Sequence, residues 1–435
     1  MSNDSRAGTS RTVRPGLLAL GTFAAGTDAF LVSGVLPSLA HDLHVSAAAA
    51  GQTVTVFALT YALAAPLLAV TTQRLDRRTA LLIALALLTG ANALSALAPT
   101  FAVLLGARFI AALGAAQFTP HATAVVATTT PPDRRGRALA VLVGGLSAGT
   151  VIGLPAGTLL GGQAGWRAAF WLVTAITIVA LLGTAWGMPS LRLPSAGWRE
   201  RLRPLRDREL ARLLATTVTT MIGPYAVMTY IAVVLAPATG GRASILSALL
   251  VLNGLGAVAG SALAGHLVDR AGPRPVLSAQ FAALFLGLGG LAAGRTSLPV
   301  SAVLLVVWGL AGFGTAVVQQ HRLALYAGPS APLVLGLNGS AIYLGSTLGA
   351  ALGGVVLGRL AGGADVLPVI AAFVLVIPLV LSVPRDMAPA GTPAGPGLLE
   401  GQDSAGGRGP GGILPVPASA GTASVRGGRR PGSPR

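Results

Sequence analysis

Two residues have chemistry at odds with their surroundings. Asp28 sits in Gly26-Thr27-Asp28-Ala29-Phe30-Leu31-Val32-Ser33-Gly34, and Arg108 in Leu104-Leu105-Gly106-Ala107-Arg108, each inside a long apolar stretch. A charge in hydrocarbon costs roughly 2.5–3.5 kcal/mol even on lenient insertion scales, so such residues are paired or put to use. Burial disfavours a carboxylate's charge, and a neighbouring guanidinium favours it. If conformation shifts that balance, Asp28 becomes a proton carrier, and a bound cation or amphipathic molecule competes with the proton. The alternative is a permanent ion pair locking two helices. Replacing Asp28 with Asn separates the two readings.

The elements that must position this pair are membrane helices. Of 435 residues, 53% are hydrophobic and 10% charged, against about 25% charged in soluble chains. Crossing the hydrocarbon core takes about 20 apolar residues in a helix. Twelve such segments are predicted, over 16–38, 47–70, 80–98, 101–128, 138–161, 168–188, 211–236, 244–267, 275–294, 298–318, 331–358 and 365–383. With the N-terminus inside, 25 arginines fall on the cytoplasmic side and four outside. That alternation is the positive-inside pattern, and it predicts a multi-pass cell-membrane protein with both termini cytoplasmic. Of the 13 acidic residues only Asp28 is expected well within a span, and of the arginines only Arg108. At 1.5 Å per residue Asp28 lies ~18 Å from the inner boundary and Arg108 ~12 Å from the outer one. In a core of ~30 Å these depths coincide.

Other classes are disfavoured. The net charge of +17 comes entirely from arginine, scattered between apolar stretches rather than gathered on one domain, so no nucleic acid partner is expected. There is no cysteine, which excludes disulfides and thiol chemistry. No cleavable signal peptide is evident. No nucleophile–base pair, metal cluster or phosphate loop appears, so no enzyme, metal or cofactor is expected, and the missing G-x-x-x-x-G-K-[ST] argues against direct ATP drive. The expected partners are a small-molecule substrate, protons and the lipid bilayer, with the chain a monomer.

The chain divides into a cytoplasmic segment 1–15, a six-helix bundle 16–188, a cytoplasmic loop 189–210, a second bundle 211–383 and a disordered tail 384–435. The loop is rich in arginine and suits either anionic headgroups or plain solvation. An internal repeat links the halves. Thr72-x-x-x-Asp76-Arg77-Arg78 precedes the third segment, and Gly265-His266-Leu267-Val268-Asp269-Arg270-Ala271-Gly272-Pro273-Arg274 precedes the ninth, their aspartates 193 residues apart. Gly149-x-x-x-Gly153 and Gly345-x-x-x-Gly349 are offset by 196. Two features at nearly one offset indicate duplicated halves, a known transporter plan with a site between them at mid-depth.

The loop at 265–274 resembles the signature loop of the major facilitator superfamily, with the 72–78 loop as its degraded copy. Its glycine lets helix ends approach. Its aspartate suits a helix N-terminus, and its arginines meet carboxylates and helix C-termini, making a cytoplasmic latch of Asp76, Arg77, Arg78, Gly265, Asp269, Arg270, Gly272 and Arg274. The fifth segment, Gly149-Thr150-Val151-Ile152-Gly153-Leu154-Pro155-Ala156-Gly157, followed by Trp166-Arg167-Ala168-Ala169-Phe170, resembles the antiporter motif of proton-coupled drug exporters. The glycines would form a packing face and the proline a kink. The first segment is similar to that of the chloramphenicol-exporter and arabinose-efflux branch, with its acid one residue earlier than in many members. Arg108 matches the fourth-helix arginine of the superfamily's second signature. The resemblance implies an all-α fold of twelve transmembrane helices in two pseudo-symmetric bundles. It also implies proton-coupled export of a small amphipathic, phenicol-like compound by alternating access, with Asp28 and Arg108 as the coupling pair. A sugar or amino-acid exporter of the same fold, and a non-transporting membrane sensor, are the other readings.

Pocket candidates are apolar and aromatic residues with scattered hydrogen-bonding groups: Phe57, Tyr61, Gln117, Tyr225, Tyr230, Asn253, Asn338 and Tyr343. Helix packing is the competing role for each. His121 is a conceivable proton relay, but a satisfied or wetted histidine is the better expectation. His41 and His44 belong to the first external loop.

Overall fold

The computed structural model describes residues 15–72, 74–191 and 207–382. Residues 1–14, most of the 189–210 loop and the expected tail 384–435 lie outside the described residues. Every regular element among the described residues is helical. In chain order the spans are α1 (Pro15–Asp42), α2 (Ala47–Thr71), α3 (Arg77–Leu97), α4 (Phe101–Thr129), α5 (Pro132–Ala148, continued by Gly149–Gly153 and Leu154–Ala164) and α6 (Trp166–Gly187). They continue with α7 (Arg208–Thr229, Ile231–Val234 and Ala236–Thr239), α8 (Ala243–Ala271), α9 (Pro273–Gly294), α10 (Leu298–Ala327), α11 (Ala331–Arg359) and α12 (Gly363–Val374 and Val376–Ser382).

Eleven helices among the described residues are long and apolar enough to cross a membrane. The seventh span, α7, is the exception. Its first stretch carries Arg208, Glu209 and Arg212 and then Thr216, Thr217, Thr219 and Thr220, and it breaks at Tyr230 and Leu235. Its hydroxyls bond backward along the helix, Thr216 to the Arg212 carbonyl at 2.9 Å and Thr220 to the Thr216 carbonyl at 2.6 Å. They therefore present little unsatisfied polarity to their surroundings.

Short caps explain where helices start. Ser46 accepts from the Ala49 amide, Thr100 from the Val103 amide, and Asp207 from the Glu209 and Leu210 amides, each satisfying donors that the first turn leaves open. Gly165 and Gly272 make the sharp α5–α6 and α8–α9 turns at φ +83° and +79°, a region that disfavours a β-carbon.

In the first half α1 packs on α5 and α6, α2 on α4, and α3 on α4 and α6. In the second half α7 packs on α11, α8 on α10, and α9 on α10 and α12. The halves meet along α2–α11 and α5–α8. Matched glycine rows make the repeat concrete. A β-carbon at Gly149 would meet the Phe23 carbonyl and Thr27 amide of α1, and one at Gly345 would meet the Val218 carbonyl and Met221 of α7. Two bonds joining the halves lie toward the end where α1 finishes and α2 begins: Ser247 Oγ donates to the Pro155 carbonyl at 2.8 Å, and Tyr230 Oη donates to the Ala48 carbonyl at 3.5 Å.

Two expected boundaries move furthest. The fifth span begins at Pro132, not 138, and the tenth runs to Ala327 instead of stopping at 318. The polar run Gln319-Gln320-His321-Arg322 remains helical. Within it Gln319 donates to the Leu213 carbonyl of α7 at 2.7 Å and accepts from Arg322 at 3.2 Å. Arg108 is therefore not alone as a helical arginine: Arg322 is 6% exposed within α10.

Candidate functional site

The site begins with how closely α1 lies on α5. A β-carbon at Gly153 would meet the Thr27 side chain, one at Gly157 the Leu31 side chain, and one at Gly26 the Leu146 carbonyl. Pro155 lacks the N–H that would bond the residue 151 carbonyl, and its ring crowds that carbonyl. The helix accommodates this with a wide turn over Gly149–Gly153, a π-type insertion of the kind found at functional positions. The expected antiporter-motif residues Gly149, Gly153, Pro155 and Gly157 thus bracket the α1 segment that carries Asp28.

Asp28 and Arg108 meet. Arg108 Nη1 donates to Asp28 Oδ1 at 2.5 Å, and Nη2 donates to the Asp28 carbonyl at 2.9 Å. Both side chains are fully buried. The guanidinium stacks over Phe57, 4.4 Å from its centroid, and lies 5.8 Å from that of Phe170, so cation–π attraction supplements the ion pair. Asp28 Oδ2 and Arg108 Nε have no hydrogen-bond partner among the described residues. A buried carboxylate with one oxygen bonded and the other open can receive a proton or a donor group at the open oxygen.

An aromatic cluster surrounds the pair. Tyr343 of α11 stacks on Tyr61 of α2 at 3.7 Å and 24°, and tilts toward Phe57 at 6.3 Å. Tyr225 of α7 lies 5.6 Å from Phe30 of α1. Tyr343 is within electrostatic reach of Tyr61, Tyr225, Asp28 and Arg108. Aromatic side chains from both halves therefore gather around one ion pair. Phe30 and Phe170 were not among the expected site residues. Phe30 sits two positions after Asp28 and Phe170 closes the Trp-Arg-x-x-Phe stretch, so each had a local signal.

Four pocket candidates are placed elsewhere. Gln117 Nε2 donates to the Ala80 carbonyl of α3 at 2.9 Å, and Asn253 Nδ2 to the Leu305 carbonyl of α10 at 2.9 Å. Both tie helices together within one half. Tyr230 is fully buried, and its hydroxyl donates to the Ala350 carbonyl at 3.1 Å, besides Ala48. Asn338 Oδ1 accepts from Thr217 at 2.8 Å, beside a small cavity also lined by Thr315 and Gln319. His121 is buried, with Nδ1 2.8 Å from the Gln117 carbonyl and Nε2 3.2 Å from Thr72 Oγ1.

The two latch loops differ. Asp76 caps α3 by accepting from the Thr79 amide at 3.1 Å, and it also accepts from Ser190 Oγ at 2.7 Å and the Leu191 amide at 2.6 Å. Arg77 N donates to the Leu191 carbonyl at 2.8 Å, and Arg78 Nη2 to the Ala185 carbonyl at 2.6 Å. Partial burial works against ionisation of Asp76, but the hydrogen bonds from Ser190, Thr79 and Leu191 outweigh it and hold the carboxyl below its ordinary range. This loop fastens α3 to the chain after α6. The expected latch loop at 265–274 is instead helical except at Gly272, because α8 runs on to Ala271 and α9 begins at Pro273, and Asp269, Arg270 and Arg274 are exposed on it. A β-carbon at Gly265 would meet nothing within 4 Å, so the close approach expected of that glycine is absent in this conformation. Gly272 is required instead by its turn.

At the far end of α1, Asp42 accepts from Trp166 Nε1 at 3.0 Å and from Arg167 Nη1 at 3.2 Å. No cluster of three His, Asp or Glu suited to a metal occurs among the described residues.

Known proteins are similar to this chain in sequence and in fold. The profile of the Major Facilitator Superfamily matches residues 18–317. A chloramphenicol resistance protein of Streptomyces lividans is 32% identical over 353 residues, spanning 80% of this chain and 89% of that protein. The inner membrane transport protein YdhP of Escherichia coli K12 is 31% identical over 375 residues, 84% of this chain and 93% of its own. Among solved structures, a bacterial homologue of the human lysosomal transporter Spinster, inward-facing and unoccupied, shares the fold with a TM-score of 0.69 at 20% identity, over 84% of this chain and 95% of its own. A duplicated helical membrane fold and a profile match across most of the helices lead to one assignment: the chain is a transporter of the major facilitator superfamily and not an enzyme.

Proposed function

We propose that the chain is a proton-coupled antiporter that exports a small amphipathic compound, phenicol-like in character, from the cytoplasm. One observation carries this reading: Asp28 is buried against Arg108 and keeps one carboxylate oxygen unbonded beside aromatic rings from both halves. In the proposed cycle the outward-facing state protonates Asp28 at the open oxygen. The neutral acid weakens its hold on Arg108, the bundle reorients, and the proton leaves to the cytoplasm as substrate occupies the aromatic surface. The names of chloramphenicol-exporting and chloramphenicol-resistance relatives support the substrate class.

The arginine distribution supports cytoplasmic termini. In that orientation the end at which Tyr230 and Ser247 join the halves faces outside. One chain contributes both halves, which suits action as a monomer.

The test uses proteoliposomes loaded with chloramphenicol under an imposed pH gradient. Wild-type protein should drive export that collapses with the gradient. Asp28→Asn should lose gradient-driven export while retaining chloramphenicol exchange at equal pH on both sides. Full gradient-driven export by Asp28→Asn would overturn the proposal.

A further inference from the structure

A second buried guanidinium lies far from Asp28. Arg322 is in the last two turns of α10 and is 6% exposed. Its Nη1 donates to Gln319 Oε1 at 3.2 Å, and among the described residues no carboxylate oxygen comes within 4.0 Å of it. Its charged neighbours are mostly of its own sign: Arg212 of α7 and Arg274 in the first turn of α9 repel its charge, and Glu209 of α7 attracts it. Glu209 is already engaged by Arg212, 3.2 Å away. Arg212 Nε and Nη2 nevertheless make no hydrogen bond among the described residues. The nearby Asp207 is also occupied, by Tyr326 Oη at 2.8 Å and by two backbone amides.

Three guanidiniums against the carboxylates of Glu209 and Asp207, both already engaged, leave an excess of one positive charge at the ends of three helices. Burying an arginine without a counter-charge is costly, and such residues are paired in membrane proteins. Guanidiniums carried on neighbouring helices suit an anion with several oxygens better than a single carboxylate. The position, at the arginine-rich end of the spans, is where phosphate groups of anionic lipids are concentrated.

We propose that the ends of α7, α9 and α10 form a binding site for a phosphate-type anion, with Arg322 at its base and Arg212 and Arg274 at its mouth. Free phosphate and a phospholipid headgroup share this chemistry. The site is separate from the Asp28–Arg108 pair and does not depend on proton coupling.

Two measurements on the full chain test it. In detergent at low salt, equilibrium dialysis with radiolabelled inorganic phosphate should show saturable binding that added sodium chloride weakens. Arg322→Gln should weaken it about tenfold or more, as expected for loss of a charge-assisted contact. Arg274→Gln, at an exposed position, should weaken it several-fold without disturbing the core, and so decides the matter if Arg322→Gln does not fold. Arg242→Gln, at the opposite end, should change nothing. In the second arm, native mass spectrometry should show phosphatidylglycerol retained over phosphatidylcholine by wild type and lost by Arg274→Gln. Binding in the first arm alone identifies free phosphate as the occupant, and binding in the second identifies the lipid. Absence of saturable binding in both arms, or binding undiminished by both substitutions, would overturn the proposal.

Discussion

Thr27 Oγ1 donates to the Gly149 carbonyl across the α1–α5 contact at 3.4 Å, one residue before Asp28. The same hydroxyl also reaches the Phe23 carbonyl at 2.9 Å. The glycine face of α5 therefore touches α1 at the residue next to the buried acid, so a change in α5 is transmitted directly to the ion pair.

Adding bulk to that face should displace Asp28. Gly153→Val places methyl groups where the Thr27 side chain lies, and overpacking of this kind costs about 1–3 kcal/mol. Transport should fall sharply with the protein still in the membrane. Gly144→Ala, whose β-carbon would meet nothing within 4 Å, is the matched control. Drug efflux from cells expressing each variant at equal level measures both. Wild-type efflux by Gly153→Val would show that the close approach is dispensable.

Removing one member of the ion pair should cost more than removing both. Arg108→Met leaves Asp28 buried without its counter-charge, and breaking such a pair costs about 3–5 kcal/mol. Arg108→Met with Asp28→Leu should recover much of the loss, because an apolar pair satisfies itself. Thermal unfolding of the four proteins of the cycle reads the coupling directly. Additive losses would mean that the two residues do not depend on each other.

Tyr230 fills a slot whose walls are glycines. β-carbons at Gly51 of α2 and Gly353 of α11 would run into its ring, and one at Gly354 of α11 into its hydroxyl. Tyr230→Ala should open the seam between the halves at that end, whereas Tyr230→Phe should lose only hydrogen bonds worth about 1 kcal/mol. The absence of native cysteine allows a clean readout. A cysteine at Gln52, a partly buried position beside the slot, should react faster with a membrane-impermeant maleimide in Tyr230→Ala than in wild type, and little faster in Tyr230→Phe.

Acid should loosen the α3 attachment. The carboxyl of Asp76 ionises more readily in the folded protein than in the unfolded chain, because Ser190, Thr79 and Leu191 donate to it. Its stabilisation is thus complete above the unfolded value of about 3.9 and is lost as the pH falls through the lower, folded value. Asp76→Asn should lower the melting temperature at neutral pH. The gap to wild type should narrow as the pH drops below about 4. A gap that is constant with pH would assign the effect to shape and not to charge.

Much of the architecture was legible in the sequence because hydrocarbon imposes a strict length rule and because duplication repeats it. The rise per residue alone sets Asp28 level with Arg108. The angular position of Asp28 depends on the α1–α5 glycine contact, which no count of residues supplies. The same limitation explains Gln117 and Asn253. Their polarity inside apolar helices is consistent with a cavity, but each is satisfied by a carbonyl on a neighbouring helix. Arg322 was misplaced for the opposite reason. A run of Gln319-Gln320-His321-Arg322 reads as the edge of the membrane, yet two of those side chains find partners inside the bundle.

The threonine-rich, interrupted α7 also bears on how the chain is made. A segment this polar gains little by leaving water alone, and translocation machinery that sorts helices by hydrophobicity holds it weakly. Its chief packing partner, α11, is synthesised more than a hundred residues later. The ribosome therefore releases the second half in an order that leaves α7 waiting for its neighbour, so nascent chains stopped before α11 are where topological errors should concentrate.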